Sequence, residues 1–507
     1  MMVRPLERLK NFVKAGKNEN LMSVDGYVPF KRAGVFAFEQ VLVMFLSNVT
    51  PILVVFGSLG DHYLTVNALT GALLWAGIGT ILQCLGFYPF GSKLPNLMGT
   101  SFTFIGALMQ VNSTYNDLGV TLLSALIGAL FLMVMGLFAK YWRRFIPPLV
   151  SAVVLIAVGL ELAELGAEQF FAVESVLSLS TDELYSFGNG WPFILCGFIS
   201  LTSAIIWNLH VKGAWRNIHI IVGLLMGYIC ALILNAIYPA LHIIDFSYFG
   251  MKGAEDYINV PRPFDLTKLK FNWEAVLFIC LIYLVSSSES SGDMVASAHV
   301  CYNRTANDRE ISGGLFLDGL ISACSCLFGG MPITTSTENV GFAGKTGIIN
   351  RYVAFLSGVM MIILSFFPPV AVFFESIPSC VLGGAMIMVY MSILLIGFEM
   401  ISRAGFTRKN IIVLSVTLGL GYGTSLLGKY FFNTTTFTGQ NVLLGFMMGD
   451  PEVSMFLISL VLCYLIKDTA KNDFASEDLK IHEAKEERLE EVEYKSKGVD
   501  DTHAPKL

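Results

Sequence analysis

Residues 338–347 read ENVGFAGKTG and place a carboxylate, an amide, glycines and a lysine in a stretch that is otherwise apolar enough for a bilayer. A second polar stretch, SSSESSGD at 286–293, carries Glu289 and Asp293. Residues four apart share one face of a helix. Ionisable groups in the low-dielectric core of a membrane are costly and usually functional. The two stretches therefore predict a polar site at mid-membrane depth.

The composition indicates the class of protein. Hydrophobic residues make up 54% of the 507 residues and charged residues 14%, whereas soluble domains carry about 25% charged residues. A chain of this length and polarity suits a polytopic membrane protein. The net charge of −6 comes largely from the C-terminal tail, and nothing indicates nucleic-acid binding. The nine cysteines lie without metal-ligand or redox spacing, which favours packing roles.

Fourteen stretches are candidates for membrane spans. They cover 34–57, 65–89, 94–112, 118–141, 145–165, 192–209, 217–239, 273–297, 313–330, 332–347, 351–374, 379–401, 410–427 and 452–467. The third and the tenth are short, rich in Gly, Ser and Thr, and led by Pro95 and Pro332. These two segments are the weakest as ordinary helices.

The distribution of Lys and Arg predicts the orientation, because cytoplasmic loops hold the excess of positive charge. With the N-terminus inside, the first, third, fifth, ninth and eleventh loops lie outside, and they contain no Lys or Arg. The long seventh loop and Lys429 are exceptions. We therefore expect a cytoplasmic segment at 1–33, an extracytoplasmic connection at 240–272 and a charged cytoplasmic tail at 468–507.

The weak segments also indicate an internal repeat. Pro95 and Pro332 are 237 positions apart, and the first and eighth spans start 239 positions apart. The chain therefore divides into halves of seven spans each, at 34–239 and 273–467. Since seven is odd, the second half is inverted. Short, interrupted segments at matching positions of inverted halves predict a transporter's binding site, since their free backbone groups must face a cavity or a ligand.

The buried acids suggest proton chemistry. Glu289 and Asp293 lie one helical turn apart, and burial with mutual repulsion favours reversible protonation. The alternative is a pair that neighbouring hydroxyls and amides satisfy. Asp318, in the ninth span, is a third buried acid, and it suits a structural hydrogen-bond acceptor equally well.

The broken segments offer groups that fit a flat, hydrogen-bonding ring. Phe102 can stack on a ring, Glu338 can accept ring N–H groups, and nearby main-chain amides can donate to carbonyls. Asn339 can recognise a ligand or lock its segment to a neighbour. In the other spans, Gln40 can line the cavity, and we expect Glu161 and Glu164 near the outer surface.

The segment at 338–347 resembles the signature of a known family, the nucleobase–ascorbate (xanthine/uracil permease) transporters. The signature is Gln, Glu or Pro, then Asn, any residue, Gly, four residues, Thr, then Arg, Lys or Gly. The residues that match it are Glu338, Asn339, Gly341, Thr346 and Gly347. The elements Glu289-x-x-Gly292-Asp293, Asp318 and Ser101-Phe102 match as well, and the resemblance runs from about 30 to 467.

The resemblance implies a fold and a mechanism. The fold is an all-α polytopic membrane protein of 14 transmembrane segments in a 7+7 inverted repeat, with segments 3 and 10 broken into a short strand plus a half-helix. Spans 1–4 and 8–11 form a core domain, and spans 5–7 and 12–14 form a gate domain. The core moves against the gate in an elevator-like cycle, within a homodimer in the plasma (inner) membrane.

The resemblance also implies roles for residues. Glu289 and Glu338 bind the base ring, and the groups that complete the site are Ser101, Phe102, Thr337 and Asn339. Glu289, Asp293 and Asp318 take part in proton coupling. We expect no enzyme activity, no metal and no organic cofactor, with a proton as the coupling ion; a sodium site built from carbonyls stays open.

The substrate markers are mixed. Asp293 resembles the xanthine and uric acid branch, while Glu338 resembles the uracil branch. Family members often follow Gln40 with His, but Val41 stands here. We expect an imported purine such as xanthine or uric acid, with uracil as the alternative. A second alternative is an anion transporter or channel on the same fold, which would need a cation such as Lys345 beside the broken segments.

Overall fold

The computed structural model of the chain describes residues 23–26, 28–57, 62–87, 89–172, 190–212, 216, 218–239, 243–244, 258, 260–431 and 442–466. The predicted tail at 468–507, most of the segment at 1–33 and about half of the connection at 240–272 lie outside these residues.

The first half of the chain contains seven labelled helices and one strand. They are α1 (Phe30–Gly57), α2 (His62–Leu85), β1 (Met98–Thr100), α3 (Ile105–Tyr115), α4 (Leu118–Leu137), α5 (Pro148–Phe170), α6 (Trp191–His210) and α7 (His219–Ile237). A 3-10 turn at Phe102–Phe104 joins β1 to α3, and a short helix at Ala139–Trp142 with a 3-10 turn at Arg143–Phe145 follows α4.

The second half begins with a 3-10 turn at Leu266–Lys268 and repeats the order of elements. It contains α8 (Trp273–Tyr302), α9 (Asp308–Leu327), β2 (Ile333–Thr335), α10 (Thr337–Thr346), α11 (Arg351–Ser365), α12 (Pro368–Glu375), α13 (Ser379–Ala404), α14 (Arg408–Val416), α15 (Gly423–Phe431), α16 (Val442–Gly449) and α17 (Pro451–Leu465). A π-helical stretch at Thr417–Tyr422 joins α14 to α15.

The helices confirm a polytopic membrane protein. Ten stretches of the described chain are long and apolar enough to cross a bilayer, and two bent pairs, α11 with α12 and α16 with α17, bring the total to twelve. Segments 3 and 10 each contain only a short helix, α3 or α10, which is not long enough to cross a bilayer. The count of fourteen spans therefore stays a prediction.

Some predicted bounds were wrong. The continuous span expected at 351–374 bends by 83° between α11 and α12, where Pro368 and Pro369 remove backbone donors. The eighth span continues past 297 to Tyr302, and Asn303 ends it in the left-handed conformation with φ of 50°. The ninth begins at Asp308, before the predicted 313, because Asn307 and Glu310 form a capping box there.

The two halves form an inverted repeat, with segments 3 and 10 broken as predicted. The strands β1 and β2 occupy equivalent positions and pair antiparallel, with Gly99 opposite Thr334 at the centre. Helix α2 packs against α11, and its counterpart α9 packs against α4, the counterpart of α11. Such an exchange of partners is what a two-fold axis through the strand pair requires.

A second group of helices packs beside this arrangement. Helix α5 packs against α13, its counterpart in the other half, and α6, α7 and α17 pack around these two. Helix α8 contacts α5 and α17 of this second group, and it also contacts α4, α9, α10 and β2 of the first arrangement. It therefore runs between the two groups of helices.

The contact between α2 and α11 depends on two glycines that meet backbone to backbone. A Cβ atom on Gly77 would lie 2.6 Å from the Gly358 carbonyl oxygen, and one on Gly358 would lie 2.8 Å from the Gly77 carbonyl oxygen. Small residues at such crossings let helices approach closely in membranes. Neither carbonyl can move without shifting its helix.

We expect Gly77→Ala to destabilise the protein by about 1–3 kcal/mol through overpacking. Gly34→Ala is the matched control, since nothing lies within 4 Å of a Cβ there and the change favours helix by up to about 1 kcal/mol. Thermal melting of the purified variants in detergent measures both. A Gly77→Ala protein that melts at or above the Gly34→Ala control would contradict the packing argument.

Candidate functional site

The strand pair brings the starts of two half-helices together. Ser101 N donates to the Pro332 carbonyl (3.0 Å), and Ser336 N donates to the Leu97 carbonyl (3.0 Å). These bonds extend the β1–β2 ladder by one step at each end. As a result, α3 and α10 begin at opposite ends of the short antiparallel strand pair. Helix α8 contacts both broken segments.

Asn48 of α1 holds β1 in place. Its side-chain oxygen accepts a hydrogen bond from Thr100 N (2.8 Å), and its carbonyl accepts one from Thr100 Oγ1 (3.0 Å). Asn48 is fully buried. It therefore satisfies backbone groups that a broken membrane segment leaves free.

Glu289 lies between the two broken segments. Its Oε2 accepts a hydrogen bond from Thr103 Oγ1 (2.6 Å), on the side of α3, and its Oε1 lies 3.3 Å from Thr337 Oγ1, on the side of α10. Asp293 Oδ2 lies 2.8 Å from the same Thr337 hydroxyl. A hydroxyl has one hydrogen to donate. The two carboxylates therefore compete for a single donor, and the pair keeps acceptor capacity for a proton or a ligand.

Glu338 approaches Glu289 from the first turn of α10. Ser336 Oγ donates to Glu338 Oε2 (2.7 Å) and also caps α10 by accepting from Asn339 N (3.4 Å). The carboxylates of Glu338 and Glu289 are close enough to interact electrostatically. Three predicted site acids, Glu289, Asp293 and Glu338, thus share one region.

Asp318 sits deeper and is held by several donors. It is fully buried, and Oδ1 lies 3.4 Å from Gln83 Nε2 and 3.1 Å from Thr335 Oγ1. Ser290 of α8 also hydrogen-bonds to it. These partners tie α9 to α2, β2 and α8, which is the geometry of a structural acceptor.

Asn339 joins the two broken segments. Its Nδ2 donates to the Pro95 carbonyl (3.2 Å), and its side chain is buried. Of the two interpretations of this residue, ligand recognition or a lock, the contact supports the lock.

Phe102 presents an aromatic ring at the start of α3. The ring packs edge-on against Tyr390 of α13, with centroids 5.8 Å apart. Tyr390 belongs to the second group of helices, so this contact crosses between the two groups. Ser101, the preceding residue, contributes its backbone to the strand pair.

The remaining signature residues shape α10 or pack elsewhere. Thr346 Oγ1 donates to the Phe342 carbonyl (2.8 Å), and Gly347 ends α10 with φ of 70°. Gly341 has open space where a Cβ would stand. Gln40 Oε1 accepts from Ser357 Oγ (2.9 Å) between α1 and α11, so it joins these helices rather than the acid cluster.

Sequence reasoning missed several residues of the site. Thr103 lies in the broken segment that carries Ser101 and Phe102, so its hydroxyl could have been included. Gln83 and Tyr390 gave no local signal, because each reaches the site from a helix distant in sequence. The prediction that Glu161 lies near the outer surface was wrong. Glu161 lies against the first turn of α3, and its Oε1 occupies the position that a Cβ atom on Gly106 would take.

We expect Thr103→Ala to reduce transport about tenfold or more, because a hydrogen bond to a charged group contributes about 1.5–3 kcal/mol. Thr103→Ser keeps the hydroxyl that donates to Glu289 and should retain most of the transport. Initial uptake rates of the two variants, normalised to protein in the membrane, test this. Equal rates for the Ala and Ser variants would show that the Thr103–Glu289 bond does not matter for transport.

Comparisons with known proteins agree with this architecture. The Xan_ur_permease model, described as a permease family, matches residues 32–429. Xanthine permease XanQ of Escherichia coli (strain K12) is 32% identical over 409 residues, which cover 78% of this chain and 84% of that permease. Xanthine permease XanP of the same strain is 27% identical over 431 residues, covering 83% and 90%.

A solved structure shares the fold. The transmembrane domain of a cyanobacterium bicarbonate transporter, BicA, superposes with a TM-score of 0.53 and 15% identity, covering 86% of this chain and 98% of that chain. At this identity the likeness concerns the fold alone.

Proposed function

The chain belongs to the xanthine/uracil permease family, and we infer from this membership that it is a secondary active transporter that imports a nucleobase. The observation that carries the proposal is the arrangement of Glu289 and Glu338. The two carboxylates, on α8 and in the first turn of α10, are close enough to interact electrostatically, at the point where the two broken segments meet. A nucleobase offers ring N–H groups to such acceptors, and the Phe102 ring offers a surface for stacking.

We propose a purine such as xanthine or uric acid as the substrate. Two relatives bear the name xanthine permease at 32% and 27% identity, which supports this choice. Uracil is the alternative, since it also presents two ring N–H groups to a carboxylate. Backbone amides at the starts of α3 and α10 would donate to the carbonyl groups of either base.

We propose that transport is coupled to a proton, and the competition for the Thr337 hydroxyl supports this. Glu289 and Asp293 cannot both receive its hydrogen, and two adjacent buried carboxylates repel each other. A proton on one of them would relieve the repulsion and accompany the neutral base. Asp318 would support the cycle from its fixed position, where it ties α8 and α9 together.

We propose that transport uses an elevator-like movement. The core would consist of α1–α4 and α8–α12 with both strands, and the gate of α5–α7 and α13–α17. The contact between Phe102 and Tyr390 would lie at their interface and change during the cycle. We propose that the protein is a homodimer in the plasma (inner) membrane, with both termini in the cytoplasm.

An anion transporter is the alternative on the same fold, which BicA shares. The site disfavours it, because the acids at 289, 293 and 338 would repel an anion.

Uptake of labelled xanthine and uracil tests the proposal. The gene is expressed in a bacterial strain that lacks its own nucleobase permeases, and uptake is measured with and without a protonophore. We expect accumulation of xanthine that the protonophore abolishes. Accumulation of neither base, followed by none of uric acid or guanine, would refute the nucleobase assignment, and accumulation that resists the protonophore would refute proton coupling.

A further inference from the structure

Glu452, near the start of α17, is a buried acid for which the transport mechanism above has no use. Its side chain is 0% exposed, and neither carboxylate oxygen receives a hydrogen bond from the part of the chain that the structure describes. Asp450 caps the same helix end by accepting from Val453 N (2.9 Å). An ionised carboxylate that is buried without a donor is strongly disfavoured.

The group that faces Glu452 is the carboxyl of Glu161 on α5. The two carboxyl groups are within hydrogen-bonding reach of each other, and α5 packs directly against α17. Glu161 Oε1 rests on the backbone of Gly106 in the first turn of α3, where any Cβ would overlap it. A helix N-terminus favours negative charge, so Glu161 is the better placed of the two to stay ionised.

Since Glu452 has no donor among the described residues, its carboxyl group and that of Glu161 can form a hydrogen bond to each other only if one of them carries a proton. With both ionised, like charges in a low-dielectric interior would repel each other, as in other carboxyl dyads that share one proton. We propose that Glu161 and Glu452 share a single proton, and that they form a protonation site separate from Glu289 and Asp293.

The surroundings of the pair add negative charge and so favour the bound proton. Asp450, at the start of α17, and Glu289, on α8, both act electrostatically on Glu452. Lys409 on α14 acts on Cys463, towards the other end of α17. The helices packed against α17 carry further ionisable groups at Glu164, Glu168, Asp293, Arg408 and Tyr422.

The position of the pair gives its proton a mechanical consequence. Glu161 and Glu452 belong to helices of the proposed gate, whereas Gly106 and Thr103, one turn earlier, belong to the proposed core. The shared proton would therefore join α5 to α17 beside α3. Thr103, just before α3, donates a hydrogen bond to Glu289. Loss of the shared proton should loosen the contact between α5 and α17 within the gate, next to the start of α3 in the core.

Thermal melting across pH tests the proposal without a substrate. The folded state holds one proton that the unfolded chain releases at neutral pH, so stability should fall as the pH rises. We expect the melting temperature of the purified wild-type protein to drop by several degrees from mildly acidic to mildly alkaline buffer. Glu452→Gln supplies a permanent amide donor to Glu161 and should make this dependence smaller than in the wild type, while the part that comes from Glu289 and Asp293 remains. Glu168→Gln, an exposed position on α5, is the matched control and should melt like the wild type.

A second variant keeps the test decisive if Glu452→Gln does not fold. Glu161→Gln supplies the donor from the opposite side and should reduce the dependence by the same amount. Variants that melt with the wild-type dependence on pH would overturn the shared proton. Since melting involves no nucleobase, this result stands apart from the uptake experiment, which can fail independently.

Discussion

Glu289→Gln should abolish accumulation of the nucleobase while leaving folded protein in the membrane. Glu289 accepts a hydrogen bond from Thr103 at 2.6 Å, and its other carboxylate oxygen lies 3.3 Å from the Thr337 hydroxyl. The amide is similar in shape, so packing should survive. It cannot take up a proton, however, and its NH2 group would face one of the two hydroxyls, from Thr103 or Thr337, that lie against the carboxylate oxygens. Binding of ring N–H groups would lose a charge-assisted acceptor, a loss of about tenfold or more in affinity.

The measurement is uptake of labelled xanthine, paired with the amount of protein in the membrane and its melting temperature. Glu274→Gln is the matched control, because it makes the same change on the same helix, where the carboxylate accepts from Tyr115 Oη (2.9 Å) near the start of α8. Wild-type accumulation by Glu289→Gln would remove this residue from both binding and coupling. Loss of folded protein in the Glu289→Gln variant alone would mean that its carboxylate is structural.

Much of the architecture could be predicted because its signals are local. A proline followed by Gly, Ser and Thr marks a segment that cannot form a full span, and two such segments 237 positions apart reveal the repeat. Acids within apolar stretches mark the polar site for the same reason. The structure places Glu289, Asp293 and Glu338 together, as those signals suggested.

The missed features depend on contacts between segments that are distant in sequence. Gln83 reaches Asp318 across 235 positions, and no property of either stretch indicates that pairing. Glu161 was expected near the outer surface. The backbone of Gly106, in another half-helix, makes room for it in the interior.

Glu338→Gln should change the preference between bases rather than abolish transport. The Ser336 hydroxyl holds Glu338 at 2.7 Å, and a glutamine oxygen can accept the same bond. The second carboxylate oxygen of Glu338 is then replaced by an NH2 group, which donates a hydrogen bond where the carboxylate accepted one. Neutral xanthine has a ring nitrogen without hydrogen that can accept from this amide, whereas both ring nitrogens of neutral uracil carry hydrogen.

We therefore expect the ratio of xanthine to uracil uptake to rise by about tenfold, the effect of about 1.4 kcal/mol in relative affinity. Competition of each unlabelled base against labelled xanthine measures this ratio in the wild type and the variant. Glu399→Gln, at an exposed position of α13, controls for general effects of the substitution. An unchanged ratio would show that selectivity is set by other groups, such as the backbone amides at the starts of α3 and α10.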